Sequence, residues 1–308
     1  MLQVEELTDI VLAEEGQTLM GLDFLTETLA LSMDKIEKIF IKCAKEYAKR
    51  RPVYESVIMA NNPLTLPKGT IMVRAVRYGV MPEIPRWYFP TFTEIGYELT
   101  YDYTTGQKQV YVKVWPPIYP IRVTYGKDYT LTNSDIVIEN TFTVDGEDEI
   151  EFTLKGTPRK GTLKISKGLD TMQPNGCGEE LLPDYNGEPV PTKVIYLTGD
   201  LGEGYLVEKT RKLYITELKN TTQGDLQIQY YPKYRGILEL EEGDYVFTKL
   251  FASKLLEALA SLRAQATQED LHHIDLTTDD LYARVRLLKN EVARLLRNTI
   301  SYGDMADI

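Results

Sequence analysis

The chain has 308 residues and a formal net charge of −11, and 43% of its residues are hydrophobic and 26% charged. This length suits two domains, and this composition is ordinary for a globular protein with a sizeable core. The excess of acidic residues argues against general binding to nucleic acid or to a membrane surface, because phosphate groups would be repelled. The 21 tyrosines suit interfaces, or they simply follow from a high strand content.

The two cysteines, Cys43 and Cys177, are far apart in the sequence. They predict no disulfide, which favours a reducing compartment. Residues 1–15 contain no Lys or Arg and no long apolar run, so we expect no signal peptide. No stretch approaches the roughly 18 apolar residues of a membrane-spanning helix.

The first strong helical pattern follows residues 1–31, which predict only short helices or turns. Ser32 is a candidate N-cap for this helix. After it, apolar residues recur on one helical face, at Ile36, Ile39, Phe40, Cys43 and Tyr47. A basic last turn and Pro52 then predict the end of the helix.

From Leu64 onward the apolar period changes to two, which predicts β-strands. The candidate strands of this first β-rich block are residues 70–78, 95–101, 109–115 and 119–125. Residues 103–106 predict the turn of a hairpin between the second and the third of these strands.

A second β-rich block follows in the middle of the chain. Its candidate strands are residues 135–139, 149–154, 161–166, 193–197, 204–209, 212–216 and 225–231. Gly and Pro are frequent between Lys167 and Pro191, which predicts a long loop there. Short strands separated by turn signals are typical of a small antiparallel sandwich.

Helical periodicity returns in residues 244–266 and again in residues 278–300. The last helix has Thr278 as its candidate N-cap. A narrow apolar stripe runs along this last helix, at Leu281, Val285, Leu288, Val292 and Leu295. Such a stripe indicates packing on one neighbour, in the same chain or in the next one.

These patterns together predict an α+β fold. Terminal helices pack with a small antiparallel β domain, and an all-β sandwich domain is inserted into this host. The predicted boundaries are residues 1–128 for the first part of the host, 129–235 for the inserted sandwich, and 236–308 for the helices that complete the host.

Two short motifs have compositions that occur in ligand sites. Gly199-Asp200-Leu201-Gly202-Glu203-Gly204 looks like a phosphate-binding loop, but a strand-like segment rather than a helix follows it. It therefore predicts a hairpin turn. His272 and His273 are the only histidines, and adjacent side chains on a helix diverge by about 100°, so a polar loop is favoured over a metal site.

Clustered acids give no clearer site. Asp145-Gly146-Glu147-Asp148-Glu149 has oxygen ligands but lacks EF-hand spacing, and it predicts a solvated hairpin tip. Paired carboxylates for glycoside hydrolysis are defined by their separation in space, and the sequence singles out no pair. We therefore predict no catalytic residue, no cofactor-binding residue and no metal ligand, and we expect that the chain is not an enzyme.

Charges are unevenly distributed along the chain. The first 24 residues carry acids and no bases, at Glu5, Glu6, Asp9, Glu14, Glu15 and Asp23. The helix after Ser32 and the last helix are rich in Lys and Arg. Segments of opposite sign are expected to steer subunits together and to fix their register, unless they are merely solvated helix faces.

Several sequence segments carry a resemblance to a known family. At the front these are Phe24-Leu25-x6-Ser32-Met33-Asp34-Lys35-Ile36, then Ala44-Lys45-Glu46-Tyr47 and Pro52. In the middle they are Leu64-x-Leu66-Pro67-Lys68-Gly69-Thr70, Val73-Arg74-Ala75-Val76 and Tyr119-Pro120-Ile121-Arg122-Val123-Thr124-Tyr125. At the back Tyr245-x6-Ala252-x-Lys254-Leu255-Leu256 precedes the last helix. The order and hydrophobic spacing of these elements resembles the neck proteins of contractile-tailed bacteriophages, also called head-completion or head-to-tail connector proteins.

The resemblance covers roughly residues 24–128 and 236–300. Residues 129–235 depart from it. Two of their segments look like strands of the β-sandwich modules that decorate phage virion proteins, namely Leu154-Lys155-Gly156-Thr157-Pro158-x2-Gly161-Thr162-Leu163-Lys164-Ile165 and Gly224-Asp225-Leu226-Gln227-Ile228-Gln229-Tyr230-Tyr231.

The resemblance implies a structural virion protein that catalyses no reaction and needs no cofactor. It would assemble in the host cytoplasm and bind below the portal protein as a ring of twelve or six copies. That ring would dock tail-side neck or terminator proteins and let DNA pass through its lumen without specific binding, with no membrane partner. A baseplate, collar or tail-terminator component is the first alternative. A carbohydrate-binding or glycan-processing protein is the second, motivated by the tyrosines and carboxylates.

Overall fold

The structure is a computed structural model that describes residues 1–18, 31–78, 95–113, 115–117, 120–144, 146, 149–183, 187–219, 221–240, 244–264 and 278–303. The described helices are α1 (Val4–Thr18), α2 (Met33–Ala48), α3 (Tyr245–Arg263) and α4 (Thr278–Gly303). Together with many antiparallel strands they make a mixed α+β protein with a large sheet, which confirms the predicted class.

The described strands alternate with short turns through most of the chain. The first eight are β1 (Leu2–Gln3), β2 (Val53–Ile58), β3 (Leu64–Thr65), β4 (Thr70–Tyr78), β5 (Tyr97–Asp102), β6 (Gln107–Val112), β7 (Ile121–Lys127) and β8 (Leu131–Thr132). The others are β9 (Val137–Thr143), β10 (Ile150–Thr153), β11 (Lys164–Lys167), β12 (Asp170–Pro183), β13 (Pro189–Gly199), β14 (Gly202–Val207), β15 (Lys212–Leu218), β16 (Gly224–Tyr230) and β17 (Gly236–Ile237).

The chain divides into two compact units. Unit 1 comprises residues 1–40 and 131–293, and unit 2 comprises residues 41–130 and 294–308. One division falls after residue 130, close to the boundary predicted after residue 128. Residues 131–235, however, are grouped with helices from both ends of the chain rather than set apart from them.

Unit 1 contains one large antiparallel sheet with the strand order β10-β15-β14-β13-β12-β11-β16-β9. We predicted a sandwich, but hydrogen bonding joins all eight strands into a single sheet. This sheet curls, because its two edge strands approach each other at one end. The Glu139 carboxylate in β9 accepts a hydrogen bond from the Lys155 backbone N–H, two residues beyond β10, with an N···O distance of 3.1 Å.

The longest hairpin of this sheet occupies the segment for which we predicted a long loop, and that prediction is wrong. β12 and β13 pair from Met172 opposite Gly199 to Pro183 opposite Pro189. Gly178 fits this ribbon because the Tyr196 ring lies across it, and an added Cβ would come within 2.4 Å of the Tyr196 Cε2 atom. Gly178, which contributed to the prediction of a loop, is thus part of the packing of a strand.

The predicted turn after β13 is confirmed. Gly199 pairs with Gly202, and β14 returns antiparallel to β13. Gly202 has a φ of +147°, and a Cβ there would lie 1.9 Å from the Glu217 carbonyl oxygen. A side chain is excluded at this position by both the backbone angle and the neighbouring strand.

Three short strands connect the ends of the large sheet to the start of the chain. They pair in the order β1-β17-β8. Leu131 lies opposite Ile237, and Ile237 also lies opposite Leu2. The chain therefore enters and leaves the large sheet at adjacent positions.

Helices from both ends of the chain pack in unit 1. Asp244 caps α3 by accepting a hydrogen bond from the Phe247 N–H at 2.9 Å. Phe40 in α2 makes edge-to-face contacts with Phe247 and Phe251, with ring centroids 5.7 and 6.0 Å apart. The predicted stripe of α4 is buried within the chain at Leu281, Val285, Leu288 and Val292.

Unit 2 contains two three-stranded sheets, with the orders β2-β7-β4 and β3-β6-β5. They share one apolar cluster, which includes Val76, Val110, Val112, Ile121 and Val123. The predicted hairpin turn between β5 and β6 is confirmed. The Asp102 carboxylate accepts hydrogen bonds from the backbone N–H groups of Thr104 and Thr105 in this turn.

The close approach of β14 and β15 predicts that one added methyl group lowers the free energy of unfolding. We expect Gly204→Ala to destabilise the protein by about 1–3 kcal/mol, because its Cβ would lie 2.4 Å from the Tyr214 carbonyl oxygen. Gly176→Ala is the matched control, since nothing lies within 4 Å of a Cβ there. Urea unfolding curves measure both, and equal midpoints for the two variants would contradict the packing described for β14 and β15.

Candidate functional site: the acidic N-terminal helix

Helix α1 is acidic and largely buried. The side chains of Glu5, Glu6 and Glu15 are buried together with the apolar Leu7 and Val11. A buried carboxylate is stable only where donors or cations replace the water that it has lost. The partners of these acids therefore show how α1 is held in unit 1.

The first turns of α1 bind the segment that follows β10. The Glu5 carboxylate accepts hydrogen bonds from the Thr157 N–H at 2.6 Å and from the Thr157 hydroxyl at 2.5 Å. The Glu6 carboxylate forms an ion pair with Lys155, with an N···O distance of 2.6 Å. One turn later, Asp9 forms an ion pair with Arg211.

Arg211 also fixes this segment from the side of the sheet. Its guanidinium donates to the carbonyl oxygens of Leu154 and Lys155, at 3.3 and 2.9 Å. Its backbone has a φ of +59°, which is uncommon for a residue other than glycine. The turn between β14 and β15 therefore brings one cation between Asp9 and two backbone carbonyls.

A second carboxylate holds the same segment from inside the sheet. Glu139 accepts hydrogen bonds from the Lys155 N–H at 3.1 Å and from the Tyr230 hydroxyl at 2.5 Å. The Tyr230 oxygen in turn accepts a hydrogen bond from the Gly156 N–H at 2.9 Å. We call Glu5, Glu6, Glu139, Thr157 and Tyr230 the carboxylate cluster.

Burial controls the acidity of this cluster. It raises the pKa of Glu5 against the hydrogen bonds from Thr157, and it raises the pKa of Glu139 against the hydrogen bond from Tyr230. Burial and the charge of Glu139 also raise the pKa of the Tyr230 hydroxyl. The folded protein therefore favours the protonated forms of Glu5 and Glu139 more than water does.

The last turns of α1 bind the helices at the other end of the chain. The buried Glu15 carboxylate accepts two hydrogen bonds from the Arg284 guanidinium, from Nε at 2.6 Å and from Nη2 at 3.0 Å. Lys249 in α3 pairs with Glu14 at 2.8 Å and approaches Glu15 at 3.5 Å. Such a bidentate pair fixes both the distance and the orientation of α4.

The arrangement of these groups anchors segments of the protein to one another. Raised carboxyl pKa values are common in active sites, but structural networks produce them too. Both oxygens of Glu5 bind Thr157, and both oxygens of Glu139 accept from the Lys155 N–H. Each carboxylate oxygen of Glu5 and Glu139 thus holds a group of the protein.

Steering between subunits stays a prediction, but it is not what occupies the acids of α1. Its acids at positions 5, 6, 9, 14 and 15 meet donors of the same chain instead. Their partners Lys155, Arg211, Lys249 and Arg284 all lie outside the basic helix α2, and Arg284 lies in the last helix, α4. Buried acids take the nearest cations that the fold supplies, whatever their place in the sequence.

The other sequence-based candidates are only partly described. His272 and His273 lie outside the described residues, as do Asp145, Glu147 and Asp148. Among the residues that the structure does describe, no group of three His, Cys, Asp or Glu side chains is placed to hold a metal ion. Within the same ranges, no helix has the length and apolar character needed to cross a membrane.

The acids of α1 could be recognised in the sequence, but the residues that bind them could not. One signal was available at Glu139, which takes an inward position between Val137 and Thr141 in a strand of period two. An acid at a core position of a strand requires a partner. Nothing in the sequence identified Tyr230 or Lys155 as that partner.

Comparisons with known proteins do not extend this description. No protein-family model, no curated protein and no solved structure matched the chain.

The raised pKa of Glu139 predicts a pH dependence of stability. A carboxyl group of this kind binds more protons in the folded state, so its contribution is fully present below its unfolded pKa and is lost as the pH rises through the folded pKa. We expect wild type to lose stability relative to Glu139→Gln as the pH rises above about 4.5. Unfolding free energies from urea titrations at several pH values measure this difference.

Glu55 provides a control, because its pKa is shifted in the opposite direction. Hydrogen bonds from Lys127 and Tyr125 lower its pKa, so its contribution is present above its unfolded pKa and is lost as the pH falls. Wild type should therefore lose stability relative to Glu55→Gln toward acid pH. A Glu139→Gln protein whose pH profile parallels that of wild type would contradict the environment described for Glu139.

The buried pair between Glu15 and Arg284 predicts a large effect of one substitution. We expect Glu15→Gln to destabilise the protein by about 2–3 kcal/mol, because the Arg284 charge then keeps no ionised partner on α1. Glu257→Gln removes the exposed pair with Lys289 and should cost at most about 0.5 kcal/mol. Circular dichroism during denaturation measures both, and similar small losses would show that α1 does not anchor α4.

Proposed function

We propose that the protein is a structural component of a tailed-phage virion and forms a ring at the neck, between the portal protein and the tail. In this proposal the host consists of residues 1–128 and 236–308, and a β domain of residues 129–235 is inserted into it. The protein catalyses no reaction in this role, and DNA passes through the lumen of the ring.

The observation that carries the proposal is the packing in unit 1 of helices from both ends of the chain, α1 with α3 and with the part of α4 before residue 294. The resemblance to neck proteins consists of helices at both ends of the chain with β structure between them. Glu15 in α1 binds Arg284 in α4, and Glu14 binds Lys249 in α3. Had the terminal helices belonged to separate bodies, the element order would carry no meaning for this role.

The connections of the large sheet support the inserted domain. β8 and β17 are adjacent and antiparallel, with Thr132 opposite Gly236. A domain can be inserted into a host without disturbing it when its two ends are close together. Residues 131 and 237 meet that condition.

The charge of the chain supports the passage of DNA. The formal net charge of −11 opposes the tight, nonspecific binding of phosphates that would hold DNA in a lumen. Several acids of α1 are already neutralised within the chain, so the remaining surface charge depends on groups elsewhere.

The proposal predicts where the protein binds in a particle. We expect purified protein to form rings, alone or on purified portal complexes, that electron microscopy resolves with twelve-fold or six-fold symmetry. In intact particles, an antibody label should lie at the neck. A label at the baseplate, the collar or the tail end would favour the first alternative. A stable monomer that binds neither portal nor tail would contradict the proposal.

A further inference from the structure

The edge strand β9 buries polar side chains and exposes large apolar ones. Its inward positions include the buried Glu139 and Thr143 of the large sheet. Its outward positions and those just beyond its ends expose large apolar side chains, with exposed fractions of 49% for Ile136, 54% for Ile138, 56% for Phe142 and 61% for Val144. We call these four residues the β9 row. A row of apolar side chains along an exposed edge strand is a feature that proteins avoid unless another surface covers it.

A second exposed apolar feature lies at the end of the long hairpin. Residues 178–183 and 189–194 pair with each other and, among the described residues, with no further strand. We call this two-stranded segment the arm, and it extends the hairpin by about 20 Å. Near its end, Leu181 is 68% exposed on one face, which it shares with Pro191, and Val190 is 42% exposed on the other face.

The arm is built to contact a surface through its side chains rather than to add strands. Pro183, Pro189 and Pro191 lie near its end and lack the N–H groups that a further strand would need. Toward its base, the Tyr196 hydroxyl donates to Glu180 at 3.0 Å, and the Tyr196 ring covers Gly178. A ribbon stiffened at its base presents its apolar end at low entropic cost.

We propose that the arm of one copy packs against the β9 row of a second copy of this chain. Both surfaces belong to unit 1 and both are apolar, and they are different surfaces, so the contact runs head to tail. Each copy then offers one arm and one row, and every copy in a closed ring uses both. The proposal rests on the ring of the proposed function and names the surfaces that would build it.

The size of the β9 row favours a ring over an isolated pair. Roughly half of each of the four side chains in the β9 row is exposed, which is on the order of 300 Å² of apolar surface. A stable interface buries about 800 Å² on each partner. One contact alone is therefore weak, whereas a closed ring gives each copy two contacts at high effective concentration.

Cross-linking tests the contact directly. Cys177 is exposed at the base of the arm, whereas Cys43 is buried. We expect Ile138→Cys treated with a short bismaleimide to give covalent trimers and larger species, because each copy links residue 138 to Cys177 of the next copy. Two single-site proteins, wild type and Ile138→Cys with Cys177→Ser, should give dimers at most. Thr216→Cys, exposed on β15, is the position control and should give no larger species.

A second experiment places a charged residue on each of the two apolar surfaces. We expect Phe142→Asp and Leu181→Asp to raise the protein concentration needed for ring formation at least tenfold, while far-ultraviolet circular dichroism stays as in wild type. Thr216→Asp should assemble as wild type does. Light scattering over a range of concentrations measures this shift.

The outcomes separate this inference from the neck role. Wild-type rings on the portal, with no large cross-linked species and normal assembly of both variants, would overturn the contact and leave the neck role standing. Large cross-linked species from a protein that binds neither portal nor tail would support the contact and overturn the neck role. A wild-type protein that stays monomeric and gives no cross-links overturns the contact.

Discussion

The burial of an acidic helix is the constraint on which unit 1 depends. α1 carries acids and no bases, yet it lies among apolar residues between the large sheet and the C-terminal helices. This placement is stable only because Thr157 and Lys155 bind one end of α1 while Lys249 and Arg284 bind the other. Each of these contacts replaces water that a carboxylate has lost. The sheet and the C-terminal helices are therefore coupled through a helix that belongs to neither of them.

This coupling joins residues that are far apart in the sequence. Glu5 lies 152 residues before Thr157, and Glu15 lies 269 residues before Arg284. The cationic partners of α1 begin at Lys155, near the middle of the 308-residue chain, and end at Arg284. Such long-range contacts carry a high cost in loop-closure entropy. The fold of unit 1 is thus completed by long-range polar contacts, whereas its helices and hairpins depend on local patterns.

The same distinction decides what could be predicted from the sequence. Local patterns were reliable, as β4 (Thr70–Tyr78), the turn after Asp102 and the apolar stripe of α4 show. The β12–β13 hairpin was missed because its Gly and Pro residues serve strand packing and strand edges, not loops. In the candidate site, the acids of α1 were visible in the sequence. Their partners were not, because no local pattern distinguishes Arg211 from the other cations of the chain.

In the edge strand β9, the burial of a carboxylate and the exposure of apolar side chains depend on each other. Its inward Glu139 holds the segment that binds α1, so this inward position is taken by a charged group that needs donors. Its large apolar residues Ile138 and Phe142 face outward as a result, since neighbouring positions of a strand lie on opposite faces. A shift of β9 by one residue would bury those apolar groups but remove the carboxylate from Tyr230. The anchoring of α1 therefore keeps an apolar surface exposed, and a neighbouring chain that covers this surface would stabilise the same register that α1 requires.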